Sequence, residues 1–169
     1  MNDLLQGDTA LITGAASGIG RGIALALAHE GVGVVLSDNN AVNGQRVADD
    51  LNATGAQASF LHADLSSADG AERLIRETIS RLGQLSILVH SASPKREENQ
   101  TADTVTDEQW LAMTNVNLTS GFKLGRAAAQ HMRDRKIAGR ILFITSLHAD
   151  TPRNLPHYSA SKAGTTMVM

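Results

Sequence analysis

Cysteine is absent from the chain, which removes disulfides, thiolate zinc sites and thiol catalysis together. Aromatic residues are scarce at 3%, too few to build stacking platforms for nucleic acid bases. Positive charge is not in excess either. The 15 Lys and Arg against 17 Asp and Glu leave a net charge of -2, which disfavours nucleic acid and anionic membrane as partners. No apolar run approaches the roughly 18 residues of a membrane span. The opening stretch MNDLLQGDTALITG lacks a basic segment leading into a long apolar run, so no export signal is visible. Six histidines are present, but none falls in an H-E-x-x-H or similar spacing, so no metal site is expected. These absences leave a soluble protein, expected in the cytoplasm. Its 169 residues suit one domain with a real core.

What is present is an alternation. Short apolar runs of strand length occur at Thr9–Thr13, Gly33–Ser37, Ala58–His62, Leu85–His90 and Arg140–Thr145. They are nearly continuous rather than alternating, as in parallel strands covered on both faces. Helical spacing lies between them. Ile19, Ile23, Ala24, Leu27 and Ala28 precede Gly31, and Leu74, Ile75, Ile79 and Leu82 precede Gly83. A long helix is expected to start at Thr106, whose spacing to Gln109 fits a capping box, and to run to about Met132. The βαβαβ order predicts an α/β Rossmann-type doubly wound parallel sheet with right-handed crossovers.

The first strand leads straight into TGAASGIGRG, with Gly14, Gly18 and Gly20 spaced G-x-x-x-G-x-G. Strand, glycine turn and helix together offer free backbone N–H groups and a positive helix end to an anion. Glycines also serve plain tight turns; their place at the opening of the first βα unit favours a pyrophosphate cradle. Asp38 follows the second strand eighteen residues after Gly20, close to the roughly 20 expected for an acid that binds adenosine ribose hydroxyls. A carboxylate there repels a 2′-phosphate, and Ser17 brings no basic side chain to receive one, so NAD is expected over NADP. The other reading of Asp38 is a helix cap. Asp64, at the end of the third strand, either reaches an adenine amino group or makes a turn.

Three further pieces follow in order. Asn117 sits inside the long helix, where Asn is a poor helix former. Ser146 follows the fifth strand, and Tyr158 and Lys162 lie one helical turn apart on one face. Each alone has a plain explanation; as an ordered set on this scaffold they do not.

The chain resembles the short-chain dehydrogenase/reductase family along essentially its whole length. The matching residues are T-G-x-x-x-G-I-G at Thr13–Gly20, Asp38, A-D-L at Ala63–Leu65, N-V-N-L at Asn115–Leu118, Ser146 and Y-x-x-x-K at Tyr158–Lys162. The resemblance implies an NAD-dependent oxidoreductase acting on a secondary alcohol or its ketone. Tyr158 would be the general acid/base. A free phenol ionises near pH ~10, and a neighbouring ammonium such as that of Lys162 favours its ionised form. Lys162 would also bind the nicotinamide ribose, Ser146 would hydrogen-bond the substrate oxygen, and Asn117 would hold a water that relays protons to Lys162. The cofactor would rest on Gly14, Ser17, Gly18, Ile19, Gly20, Asp38, Asp64, Leu65, His90, Ser91 and Ala92, with Tyr158 and Lys162. His148 and the stretch from Pro152 to Pro156 are candidate pocket walls.

Two departures stand out. Where the family has N-N-A-G, this chain reads His90-Ser91-Ala92-Ser93. His90 is read as a substitute for an Asn that ties strands together, and Ser93 adds a side chain near the nicotinamide ribose. Family members also usually continue well past the Tyr–Lys helix, so the 169 residues are expected to be a fragment, or the ordered part, of a longer protein. The alternative function is a non-catalytic nucleotide-binding or scaffold protein, which would have no need of Asn117, Ser146, Tyr158 and Lys162. The resemblance also implies a homodimer or homotetramer, paired through the long helix (Trp110, Met113, Leu118, Phe122, Leu124) and the helix that begins near Tyr158.

Overall fold

The computed structural model describes residues 5–151 and 153–169. Met1–Leu4, the start of the segment read for an export signal, and Pro152, from the candidate pocket stretch, lie outside the described residues. Five strands, β1 (Thr9–Thr13), β2 (Gly33–Asp38), β3 (Ala58–His62), β4 (Ile87–His90) and β5 (Arg140–Phe143), form one parallel sheet in the order β3-β2-β1-β4-β5. The helices are α1 (Gly18–His29), α2 (Ala41–Ala53), α3 (Gly70–Leu82), α4 (Asp107–Thr114), α5 (Ser120–Asp134) and α6 (Pro156–Val168). None of the described helices is long and apolar enough to cross a membrane.

The apolar strands face both ways, which is why they read as continuous runs. Ala10, Ile12, Val34, Leu36, Ile87 and Val89 pack with Ala24 and Ala28 of α1 and with Val47, Ala48 and Leu51 of α2. The alternate residues Leu11, Val35, Leu61 and Leu88 pack on the other face with Leu74 and Ile75 of α3 and Leu124, Ala128 and Met132 of α5. The strand order reverses between β1 and β4, and such a switch point opens a crevice at the carboxyl ends of the strands. The register aligns those ends, pairing Thr13 with Ser37 and His90, and Asp38 with His62.

The sequence pattern singled out no helix over Ala41–Ala53. Asn43 and Gly44 are weak helix formers, but Asn40 caps the first turn and Gly44 lets the Phe60 ring pack against the backbone. Tertiary packing makes this helix, not its own propensity. The expected capping box at Thr106 is present in full. The long helix is not uniform, however. Between α4 and α5 the backbone widens into a π-helical turn over Asn115–Thr119. Met113 and Leu124, expected on an outward apolar face, are buried instead, Met113 against Leu155 and Tyr158 and Leu124 in the sheet core. Trp110, Leu111 and Phe122 are the exposed apolar residues of that helix.

Candidate active site

Gly14 ends β1 with φ +67°, and a Cβ there would lie 2.8 Å from the backbone of Ala92, so only glycine fits between the ends of β1 and β4. At Gly20 a Cβ would run into the Gly14 carbonyl, so the first turn of α1 sits directly on the loop. No side chain caps that turn and no acidic residue lies in it. Its N–H groups therefore face the cleft lined by Ser17, Gly18, Ile19 and Gly20. A pyrophosphate fits this arrangement: an uncapped helix start, a close backbone approach and positive N–H dipoles.

Two adjoining hollows share Gly14, Asp38, Asn39, Ser93 and Pro94 as walls. One, of about 500 Å³, is bounded by Asp64, Leu65 and Ala92. The other, of about 750 Å³, runs from the glycine turn past Ser91 to Tyr158 and Lys162. The carboxylate of Asp38 accepts the Ala16 N–H at 3.0 Å and the Asn40 N–H at 2.9 Å, which pins the glycine loop to the end of β2. Asp64 accepts the Ser66 hydroxyl at 2.7 Å and the Ser66 N–H at 2.9 Å, and these bonds hold its carboxyl below the usual range.

His90, Ser146 and Asn117 do not line either hollow. His90 is 2% exposed, and its ring bridges strand and helix. Thr13 Oγ1 accepts the N–H groups of Ser91 (3.1 Å) and Ala92 (3.2 Å), so its own proton goes to His90 Nδ1 at 3.0 Å. Nε2–H then donates to the carbonyls of Val116 (3.1 Å) and Asn117 (3.2 Å). Burial pushes the His90 pKa down to about 4, so the neutral ring is the native form. Sequence reasoning missed Thr13, whose role depends on three partners about 77 residues away.

Asn117 is 1% exposed in the π-helical turn. Its amide donates to Ser161 Oγ at 2.9 Å and approaches Met113 Sδ at 3.1 Å, while Oδ1 has no partner among the described residues. Ser146 caps the short turn Leu147–Ala149 and accepts the His148 N–H at 3.2 Å.

α6 is aimed by the residue before it. Leu155 adopts φ +75°, rare for a branched side chain, with its N–H held by the Gln100 carbonyl at 2.8 Å; Pro156 then begins the helix. Tyr158 is buried on Met113 and Leu155 and lines the cleft. The His148 ring meets it edge-on with centroids 5.3 Å apart, and the Arg96 guanidinium lies over its face at 4.6 Å. Lys162 Nζ donates to the Ile144 carbonyl at 2.7 Å and sits 5.7 Å from the Tyr158 ring centroid. Burial, and then the Arg96 charge, lower its pKa to about 8. Nothing local in the sequence marks Arg96; the fold of the loop after β4 brings it here.

The match to known proteins agrees with this geometry. The family model for short chain dehydrogenases matches residues 8–169. The chain is 35% identical over 162 residues to hydroxynaphthalene reductase-like protein Arp2 of Metarhizium brunneum, covering 94% of this chain and 59% of that protein. It is 33% identical over 161 residues to 2-dehydro-3-deoxy-D-gluconate 5-dehydrogenase of Escherichia coli, covering 95% and 62%. A crystal structure of a short chain dehydrogenase from Mycobacterium smegmatis superposes with a TM-score of 0.91 at 30% identity, over 99% of this chain and 70% of that one. The chain thus spans about three fifths of the length of these curated relatives. With the glycine turn, the switch-point cleft and the Tyr–Lys face of α6 in place, it belongs to the short-chain dehydrogenase/reductase family.

Proposed function

We propose that the protein is an NAD(H)-dependent oxidoreductase acting on a secondary alcohol or the corresponding ketone. The observation that carries this reading is that Tyr158 and Lys162 open into the same cleft as the glycine turn. A nicotinamide held in this cleft would supply or accept the hydride. Tyr158 gives a proton to, or takes one from, the substrate oxygen. Lys162 holds the nicotinamide ribose and, as an ammonium below its pKa of about 8, sets a positive charge beside the phenol. By the family resemblance Ser146, which adjoins the cleft-lining Thr145 without itself lining the cleft, would hydrogen-bond the substrate oxygen. The open Oδ1 of Asn117 suits a water that relays protons toward Lys162.

The choice of cofactor rests on Asp38. Its carboxylate stands at the end of β2, fixed by two backbone amides, where it accepts bonds from a ribose diol and repels a 2′-phosphate. NADH is expected to bind at least about tenfold more tightly than NADPH, the worth of one charged hydrogen bond. Asp38→Ala should shrink that gap. Fluorescence titration with both cofactors measures it, and a wild-type preference for NADPH would sink the assignment.

The partner we propose is a second copy of the chain, docked on the outer face of α4 and α5. Trp110 at 42% and Phe122 at 47% exposure are large apolar residues left uncovered there. Sedimentation velocity should give a dimer or larger, with Phe122→Glu shifted toward monomer. Wild-type protein that stays monomeric at micromolar concentration refutes the pairing.

A further inference from the structure

Arg96 lies over the face of Tyr158 at 4.6 Å, beside Lys95, on the wall of the catalytic cleft. The segment that carries it is tied at both ends. Thr13 holds the N–H of Ala92 at its start. At its end, the Gln100 amide donates to Gln109 Oε1 at 2.8 Å, and the Gln100 carbonyl accepts the N–H of Leu155. The guanidinium is therefore delivered to the reacting tyrosine by structure that also positions α6.

The charge has no visible counter-ion. Among the described residues Arg96 forms no ion pair, although Glu97 and Glu98 follow it directly. Asp38 is the single carboxylate among the walls of that cleft. It stands at the end of β2, held beside the glycine loop by backbone amides. At the Tyr158 end the wall carries Lys95, Arg96 and Lys162 and no acid. The cofactor's own phosphates are drawn elsewhere, to the uncapped start of α1. Arg96 and Lys162 lie 4.6 Å and 5.7 Å from the centre of the same Tyr158 ring, and the two charges repel one another. An anion bound between them relieves that repulsion.

The geometry points to Arg96 as the anchor for a carboxylate on the substrate, so that the preferred substrates are hydroxy acids and their keto acids. This rests on the oxidoreductase reading above. A guanidinium fork takes a carboxylate through two parallel N–H···O bonds. Its place over the Tyr158 ring sets the carboxylate a few bonds from the carbon that exchanges hydride. The charged group thereby orients the carbinol toward the phenol, and neutral alcohols lose that orientation.

The test compares α-, β- and γ-hydroxy acids with their methyl esters as substrates of the purified enzyme, with NADH affinity measured in parallel. At least one acid is expected to exceed its ester in kcat/KM by roughly 10- to 100-fold, the worth of a charged hydrogen-bond pair. Arg96→Gln should bring the acid-to-ester ratio close to one, and Arg96→Glu should invert it. Equal rates on acid and ester, or turnover of the esters alone, overturn the anchor and leave the oxidoreductase reading standing. A loss in Arg96→Gln that appears equally in NADH affinity also overturns it, by assigning Arg96 to the cofactor. Turnover of none of these compounds counts against both.

Discussion

Tyr158→Phe is expected to lower kcat by about 10²–10⁴, the usual worth of a positioned acid/base group, while NADH affinity stays close to wild type. The expectation follows from how the ring is held. Met113 and Leu155 pack against it, the His148 ring meets it edge-on and Arg96 covers its face. Phenylalanine keeps all of those contacts and loses only the oxygen, which carries the transferable proton. Steady-state kinetics on a substrate that the wild type turns over, with a parallel fluorescence titration of NADH, separate the two effects. A variant with near wild-type kcat would show that another group does the proton work; a collapse of NADH binding would show that the hydroxyl serves the cofactor instead.

The second large effect concerns acid stability. The buried ring of His90 has its pKa lowered to about 4, chiefly by desolvation, while an unfolded chain titrates near 6.5. Between those values the unfolded chain takes up a proton that the native protein refuses. The stabilisation from the neutral ring is complete above pH ~6.5, is lost as pH falls toward 4, and changes no further below that. The difference corresponds to about 3 kcal/mol across the window. His90→Asn keeps a hydrogen-bonding side chain and removes the titration. Urea melts at several pH values from neutral to pH ~4.5 should show wild type losing stability more steeply than the variant. Parallel curves would mean that the native ring is freely protonated.

Much of the fold was legible because its signals are local. The β1–turn–α1 unit is written in consecutive residues, with Gly14 forced by the approach of Ala92 and the start of α1 left uncapped. Thr106 and Gln109 mark a helix start through their own side chains. What escaped reading depends on distant partners. The helix α2 needs Phe60 against Gly44. Met113 reads as surface until α6 arrives to cover it. His90 reads as a strand tie, which its bond to Thr13 is, but its second tie, to two carbonyls of the long helix, has no local signal. Arg96 joins the site only because Gln100 ties its loop to α4 and to Leu155.

The widened turn at Asn115–Thr119 changes the phase of the helix that contains it. Met113 and Leu124 are eleven residues apart, which in a plain α-helix puts them on nearly the same stripe. A π turn absorbs one residue, which swings the two side chains roughly a quarter turn apart. One continuous rod can then serve two neighbours, with Met113 under Tyr158 and Leu124 in the sheet core. In the widened turn the Ser120 N–H bonds the Asn115 carbonyl, and the next two carbonyls, of Val116 and Asn117, receive His90. A chain one residue shorter at this point would regain a regular ladder, yet could no longer serve as the floor under Tyr158 and fill the sheet core with the same side chains.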